Sequence, residues 1–233
     1  MVLNKIAILQ SNYIPWKGYF DLINSVDIFV IYDEVQYTKN DWRNRNMFKT
    51  KHGKEWITIP VRQISLSQRI NETHVAVKNW HMKHWNSILT NYSKAGSFKE
   101  TKDFVEDLYF AEPFTTNLSE INARFIKKIC FYLGITTKII DSRELNLKGD
   151  RNEKLLDACN KLQGNVYLSG PSAKEYLKIE LFAENKIDVE WMSYSNYPEY
   201  PQLFPPFEHG VSVLDVIMNT GSSAANYIKK HNA

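Results

Sequence analysis

The chain has 233 residues, of which 43% are hydrophobic and 24% charged, and its formal net charge at pH 7 is +3. This length accommodates one large domain or a domain with an insertion, and the composition is typical of a globular protein, not of a disordered chain. Lysine and arginine residues are scattered and are not massed on one periodic face. The sequence therefore predicts no nucleic-acid-binding surface.

The two cysteines and the start of the chain indicate a compartment. Cys130 and Cys159 lie inside amphipathic helical patterns without metal-like spacing, which predicts buried free thiols in a reducing environment. The sequence shows no signal-peptide pattern and no apolar run long enough to span a membrane. We therefore expect a cytoplasmic protein without membrane insertion.

The first forty-five residues predict a parallel βαβ unit. An apolar run at Ile6–Leu9 ends in a polar turn, a helical segment spans Lys17 to Asn24, and a second apolar run covers Ile28–Tyr32. Sheets of this kind bind ligands beyond the carboxyl ends of their strands. The loops after these two strands are therefore the first candidates for a site.

Those loops are rich in amides, charged groups and aromatic rings. Aromatic walls with a few convergent polar groups are typical of a small-molecule pocket, whereas a solvated loop with satisfied side chains is the alternative. Asp33 is the candidate general base, and the two arginines suit a phosphate or carboxylate. The candidate binding residues here are Gln10, Asn12, Tyr13, Trp16, Gln36, Arg43, Asn44 and Arg45.

The middle of the chain predicts a change from strands to helices. A strand over Trp56–Val61 should end at Pro60 or run along the edge of a sheet, and the polar stretch Arg62–Asn71 follows as a loop. From Asn79 to about Leu133 the apolar residues recur with helical spacing, and Asn117 with Glu120 is a capping pair. We therefore predict a helical subdomain inserted into the α/β unit.

The α/β pattern resumes with a strand at Thr137–Asp141, a helix at Asn152–Leu162 and a strand at Val166–Leu168. A Ser/Gly turn then leads into a helix that Ser172 and Glu175 would cap. Free backbone N–H groups at such a position favour an anion, although an ordinary capped helix has the same residues. Candidate anion-binding residues are Ser169, Gly170, Ser172 and Lys174.

Several motifs resemble the WbqC-like family of bacterial proteins over nearly the whole chain. They are QSNYIPWKGYF at 10–20, Asp33-x-x-Gln36, WRNRN at 42–46, WITIP at 56–60 and YLSGPSA at 167–173. The resemblance implies a role in gene clusters for O-antigen, capsule and related surface polysaccharides. It also implies that the Tyr-Pro-Gln stretch with Tyr200 and Gln202 forms a lid or pocket wall.

The first strand, turn and helix also resemble in layout the start of HIGH-type nucleotidyltransferases. That resemblance implies a Rossmann-like sheet and makes Lys17 a catalytic, phosphate-contacting candidate, but both signature histidines are absent from this sequence. The fold class predicted is thus α/β, with a Rossmann-like parallel sheet of the HUP or nucleotidyltransferase kind. The predicted units are 1–78, 79–134, 135–195 and 196–233.

The remaining segments close the chain with strand, Pro-rich and helical patterns. A strand is predicted at Val189–Ser193, a stiff extended segment from Tyr197 to Pro206, and two short helices at Val211–Met218 and Ser222–Lys230. Asp215, among apolar neighbours, is either a buried, hydrogen-bonded carboxylate or a site residue.

Three functions fit these observations. The first is transfer of an acyl or aminoacyl group to the amino group of a nucleotide-activated sugar, which the resemblance implies through its pathway. The second is an ATP-using ligase or nucleotidyltransferase, and the third is a non-catalytic sugar-nucleotide-binding protein. No metal-ligand cluster, serine-hydrolase elbow, Walker motif or dinucleotide fingerprint occurs, and the sequence identifies no cofactor. A homodimer is possible on this sequence.

Overall fold

The computed structural model describes residues 4–228, which form an α/β fold around a five-stranded parallel sheet. The elements of its first third are β1 (Lys5–Leu9), α1 (Lys17–Asn24), β2 (Ile28–Ile31), β3 (Arg45–Thr50), β4 (Gly53–Thr58), β5 (Val61–Arg62) and β6 (His74–Val75). The helical stretch that follows comprises α2 (Trp80–Tyr92), α3 (Phe98–Phe110) and α4 (Leu118–Tyr132). The remainder comprises β7 (Lys138–Asp141), α5 (Arg151–Lys161), β8 (Val166–Ser169), α6 (Ile179–Glu184), β9 (Asp188–Trp191), α7 (Val213–Thr220) and α8 (Ala225–Ile228). The predicted helix to Lys230 thus runs into residues outside the described range.

The strand order of the main sheet is β7-β2-β1-β8-β9, and every pairing in it is parallel. The chain builds outward from β1 through β2 to β7, then returns to place β8 on the other side of β1. The direction of winding therefore reverses between β1 and β8. In open α/β sheets the crevice at such a reversal, beyond the carboxyl ends of the strands, is where ligands bind.

Helices cover both faces of the sheet because successive strand residues point to opposite sides. In β1, Ala7 joins a core with α1 and α4, whereas Ile6 and Ile8 join a second core with α5 and α6. The same alternation recurs in β2, where Phe29 faces the first core and Val30 the second. Burial on both faces accounts for the nearly continuous apolar runs of these strands.

Two small antiparallel pairs lie beside the main sheet. β3 and β4 form a hairpin whose turn ends on Gly53, a residue with φ +106°, and β5 pairs with β6. The predicted strand Trp56–Val61 is thus divided, because β4 ends at Thr58 and the chain resumes extended pairing after Pro60. The helices α2 to α4 follow β6, and Asn117 Oδ1 accepts the N–H of Glu120 at the start of α4 as predicted.

The predicted helix with a Ser172–Glu175 capping box is wrong. Residues Pro171–Glu175 form a five-residue 3-10 helix whose N-cap is Gly170, and no side chain caps it. Pro171 occupies the first helical position, so the capping position falls two residues before Ser172. The N-terminus of a long helix, which the anion-site prediction assumed, is therefore missing here.

Candidate functional site

A cleft of about 970 Å³ opens at the carboxyl ends of β1, β2 and β8, where the winding of the sheet reverses. Its floor and near walls come from Leu9 and Gln10 after β1, from Glu34 and Gln36 after β2, and from Ser169 at the end of β8. This volume is at the upper end of the range of small-molecule sites. The cleft is therefore large enough for a ligand with several linked parts.

Eight of the residues proposed from the sequence line this cleft together. They come from three loops that are far apart in the chain and that the parallel sheet brings to one edge. They are Gln10, Asn12, Trp16, Gln36, Arg43, Ser169, Gly170 and Ser172.

Three cations and two carboxylates give the cleft its charge. Arg43 comes from the loop after β2, and Arg151 and Lys154 come from the first turn of α5, with Glu34 and Asp150 as the acidic members. The guanidinium of Arg151 stacks on the Tyr176 ring at 3.4 Å from its centroid, which fixes its plane. Guanidinium and ammonium groups held in this way suit a phosphate-bearing ligand.

Sequence reasoning did not propose Arg151 or Lys154 as site residues. They follow β7 through a turn containing Gly149, whose φ of +98° is the conformation that glycine adopts without strain. The sequence Lys148-Gly149-Asp150-Arg151 could have indicated these site residues. It connects a predicted strand of the sheet to the helix after it. Ligands bind beyond the carboxyl ends of parallel strands, and the segment that follows β7 contains both of these cations.

The amide of Asn12 has a fixed orientation at the mouth of the cleft. Arg43 Nη1 donates to Asn12 Oδ1, and since a guanidinium has only donors, the oxygen of the amide must face it. The Asn12 amide nitrogen therefore points away from Arg43. Within residues 4–228 it makes no hydrogen bond of its own, so it is a free donor on the cleft wall.

Asp33, the predicted base, lies behind the cleft wall and is 3% exposed. Its carboxylate accepts the backbone N–H of Ser11 at 2.8 Å, the Ser11 hydroxyl at 2.6 Å and the Ser119 hydroxyl at 2.5 Å. Burial raises the pKa of Asp33, and these hydrogen bonds act in the opposite direction. Asp33 thus ties the loop after β1 to α4.

Glu34, the next residue, is the carboxylate that does line the cleft. Its Oε2 accepts the hydroxyl of Ser142 at 2.8 Å, which leaves further acceptor positions on the carboxylate. Tyr32, Arg69 and Lys154 line a small recess together with Glu34. An acceptor at this place can meet an amine or a hydroxyl of a bound ligand.

Three of the proposed residues are structural supports in the loops near the cleft. Tyr13 is fully buried, and its hydroxyl bonds to His84 Nδ1 at 2.7 Å and Tyr109 at 2.9 Å. The amide of Asn44 joins the Tyr37 hydroxyl to the Ile59 carbonyl. The guanidinium of Arg45 lies 3.9 Å from the Trp56 ring centroid.

The last four residues proposed from the sequence lie on α1 or in the C-terminal third of the chain. The Lys17 ammonium donates to the Pro198 carbonyl at 3.0 Å, and burial lowers its pKa to about 8. Tyr200 and Gln202 both donate to the buried carboxylate of Asp215, which is therefore the bonded carboxylate of the two alternatives. Lys174 Nζ lies 5.4 Å from the Trp191 ring centroid and does not line the cleft.

Lys17 sits in an aromatic enclosure that explains the Pro-rich segment. Its Nζ lies 5.2 Å from the ring centroids of Tyr197 and Tyr200 and 5.7 Å from that of Phe207. The ammonium thus anchors the segment predicted as a lid to the first turn of α1. The ring of Tyr197 also has an edge contact with Trp16.

Two predicted absences concern metals and membranes. Among residues 4–228 no group of three or more histidine, cysteine or acidic side chains has the arrangement of a metal site. Within the same part of the chain, no helix combines the length and apolar character needed to cross a membrane. Both cysteines are buried free thiols.

Comparison with known proteins identifies a family and a relative that match nearly the whole chain. The WbqC-like protein family matches residues 10–227. The chain is 44% identical over 228 residues to the uncharacterized protein Rv1507c of Mycobacterium tuberculosis (strain ATCC 25618 / H37Rv), which covers 97% of this chain and 98% of that protein. No solved structure matches the chain significantly.

Proposed function

We propose, on the premise that the chain belongs to the WbqC-like protein family, that it binds a nucleotide-activated sugar in the cleft and acylates its amino group. The pathway that the motifs imply, surface-polysaccharide synthesis, supports the sugar nucleotide as substrate. The observation that carries the proposal is the position of Arg43, Arg151 and Lys154 around a 970 Å³ cleft at the reversal of the sheet.

The strand order supports the nucleotide part of this proposal. Numbered within the sheet, the order is 3-2-1-4-5, which corresponds to the first five strands of the doubly wound Rossmann arrangement. Nucleotides in such folds lie across the crevice between the first strand and the strand that follows the reversal. Here that crevice lies between Gln10 after β1 and the turn from Ser169 to Ser172 after β8.

We assign the diphosphate to the cationic side of the cleft. Arg151 and Lys154 lie on the first turn of α5, and Arg43 lines the same cleft with its guanidinium held by Asn12. Ser172 and the turn at Gly170 also line this cleft. Two guanidiniums bind phosphate oxygens bidentately, which fixes the ligand along one direction.

In the proposed reaction the sugar amine attacks an activated acyl carbonyl. A C–N bond forms, the bond from the carbonyl carbon to the leaving group breaks, and the amine loses a proton that ends on the leaving group. Glu34 is the acceptor on the cleft wall that would take this proton. Asp33 would act through Ser11, by holding the loop after β1, because both its oxygens are engaged.

An ATP-using ligase is the competing function that the strand order also favours. Of the two residues on which that hypothesis rested, Ser172 lines the cleft but Lys17 lies under the aromatic rings of the Pro-rich segment. ATP with magnesium is therefore the competing ligand in the test below.

The test is a thermal-shift titration of the purified protein with nucleotide sugars, free nucleotides, and ATP with magnesium. A ligand at 100 times its dissociation constant stabilises the folded state by about 2.7 kcal/mol, or about 5 to 10 °C in Tm for a chain of this size. Arg43→Ala and Arg151→Ala should abolish the shift. Lys174→Ala is the matched control and should retain it, because Lys174 does not line the cleft.

The results separate the alternatives. A shift with nucleotide sugars that both arginine variants lose supports the proposal. A shift with ATP alone favours the ligase, and binding of a nucleotide sugar without any acyl transfer favours a non-catalytic binding protein. Equal shifts in Arg43→Ala, Arg151→Ala and the wild type would place the ligand elsewhere.

A further inference from the structure

A second cavity of about 330 Å³ adjoins the cleft, and we call it the tryptophan slot. Six residues line it: Asn12, Pro15, Trp16, Trp42, Asn46 and Gly210. Three of them, Asn12, Trp16 and Trp42, also line the main cleft. The two cavities therefore share a wall, and a ligand group in one lies next to a group in the other.

Backbone hydrogen bonds hold the frame of the slot in place. The N–H of Tyr13 donates to the Trp42 carbonyl at 3.0 Å, which ties the loop after β2 to the loop after β1. The N–H of Val213 donates to the Pro15 carbonyl at 2.9 Å, and the N–H of Ser212 donates to Met47 at 2.8 Å. The slot is thus preformed by three segments far apart in the chain, as ligand pockets usually are.

The two tryptophan rings have fixed positions. Trp42 packs against Trp56, with ring centroids 5.2 Å apart, and is 43% exposed. Trp16 has edge contacts with Tyr194 and Tyr197. Its indole also lies against Gly18 so closely that a Cβ there would be 2.3 Å from a ring atom. A side chain at position 18 would therefore displace Trp16.

The polar groups of the slot differ in what they can offer. Asn46 uses both ends of its amide within the protein, donating to the Tyr13 carbonyl and accepting the N–H of Met47. Asn12 uses only its oxygen, on Arg43, so its amide N–H groups are free at the boundary between slot and cleft. The slot thus has apolar walls and one oriented donor at its opening.

From these features we infer that the tryptophan slot binds the acyl group of the second substrate, an acyl thioester, with its carbonyl oxygen on the Asn12 amide N–H. This inference rests on the proposed function and specifies its donor. The amine in the cleft attacks the carbonyl carbon, the C–N bond forms and the C–S bond breaks. The sulfur leaves as a thiolate and receives the proton from the amine, so the products are an amide and a thiol.

In this arrangement Asn12 is a catalytic residue. The carbonyl oxygen gains negative charge as the amine adds, and a donor already aimed at it stabilises that charge without rearrangement. Arg43 provides the orientation, because its guanidinium can only donate and therefore pairs with the oxygen of the amide.

The first experiment measures binding of acetyl, butanoyl and octanoyl thioesters of N-acetylcysteamine by titration calorimetry, without nucleotide sugar. The wild type should bind them with an affinity that rises with acyl length until the slot is filled. Trp42→Ala and Gly18→Ala should each weaken binding at least tenfold. Phe131→Ala, which removes an 88% exposed aromatic ring on α4, is the matched control and should bind as the wild type does.

The second experiment compares Asn12→Asp with the wild type in transfer assays with the nucleotide sugar identified above. Aspartate keeps an oxygen for Arg43 and the same shape but has no amide N–H. We expect kcat to fall at least 100-fold, because one donor is lost and the new carboxylate repels the charge that develops on the carbonyl oxygen. A fall in kcat/KM that comes from KM alone would contradict the catalytic role of Asn12.

The outcomes distinguish the inference from the proposed function. Nucleotide-sugar binding without thioester binding, or thioester binding unchanged in both Trp42→Ala and Gly18→Ala, overturns the inference and leaves the proposed function standing. Thioester binding that depends on the slot, without nucleotide-sugar binding, supports the acyl site and overturns the sugar substrate. Thermal unfolding of each variant shows whether it is folded before its affinity is compared.

Discussion

The buried imidazole of His84 should make the stability of this protein fall between pH 7 and pH 4. His84 is 5% exposed, and its Nε2 lies 3.0 Å from the Thr58 carbonyl, which can only accept. Nε2 therefore carries the hydrogen, and in the neutral ring Nδ1 accepts the hydroxyl of Tyr13 at 2.7 Å. The oxygen of Tyr13 then accepts the hydroxyl of Tyr109. The fold thus selects one neutral tautomer.

Burial lowers the pKa of His84 from 6.5 to about 4. Because the unfolded chain takes up a proton near pH 6.5 and the folded protein only near pH 4, the stabilisation is fully present above pH 6.5. It is lost progressively as the pH falls toward 4. A pKa difference of this size corresponds to about 3 kcal/mol of unfolding free energy.

The assay is urea unfolding of the wild type and His84→Gln at intervals from pH 7 to pH 4. Glutamine can donate to Thr58 and accept from Tyr13 but takes up no proton, so the variant lacks the pH dependence that His84 gives the wild type. Between pH 7 and pH 4, the unfolding free energy of the wild type should fall by about 3 kcal/mol more than that of His84→Gln. His52→Gln, at an exposed position, controls for loss of a histidine. Parallel stability curves for wild type and His84→Gln would refute the lowered pKa of His84.

Three further substitutions test other buried contacts. Asp33→Ala leaves three buried donors unpaired and should lower the free energy of unfolding in urea by about 3 kcal/mol or more. A loss below about 1 kcal/mol would contradict the role of Asp33 in holding the loop after β1 against α4. Tyr200→Phe removes one donor to the buried Asp215 carboxylate and should lower the unfolding free energy by about 1.5 to 3 kcal/mol, whereas an unchanged midpoint would show that the other donors suffice. Asn117→Ala removes the N-cap of α4 and should lower the free energy of unfolding by about 1 kcal/mol, whereas Asn117→Ser should retain most of the wild-type stability. Equal losses in the alanine and serine variants would contradict the capping role.

The positions of the main-sheet strands along the chain could be predicted well from the sequence because they depend on apolar runs. β1, β2, β7, β8 and β9 all lie within a few residues of the predicted segments, and the prediction of a parallel α/β sheet is confirmed. Buried parallel strands are apolar on both faces, so their signal does not depend on a tertiary partner. The division into four units stays a prediction. Residues of α1, from the first predicted unit, and of α2, α3 and α4, from the second, belong to the same hydrophobic core.

The direction of individual side chains could not be predicted in the same way. Tyr13 and Asn12 are neighbours in a polar loop, yet one is buried against His84 and the other lines the cleft. Ile14, which follows them, has φ +36°, an unusual value for a β-branched residue, and it turns the chain sharply before Pro15. Such a local backbone conformation has no periodic pattern, so the sequence could not show which side chains of this loop line the cleft and which are buried.

The reversal of the sheet between β1 and β8 also determines when the central strand becomes fully paired during synthesis of the chain. β2 pairs with β1 soon after both are made, but the other edge of β1 has no partner until Val166 and Tyr167 arrive. Until then the growing chain exposes an unpaired apolar strand edge, a common starting point for aggregation. The segment from Ser169 to Ser172 is made next, so the same late part of the chain covers that edge and supplies one part of the cleft lining.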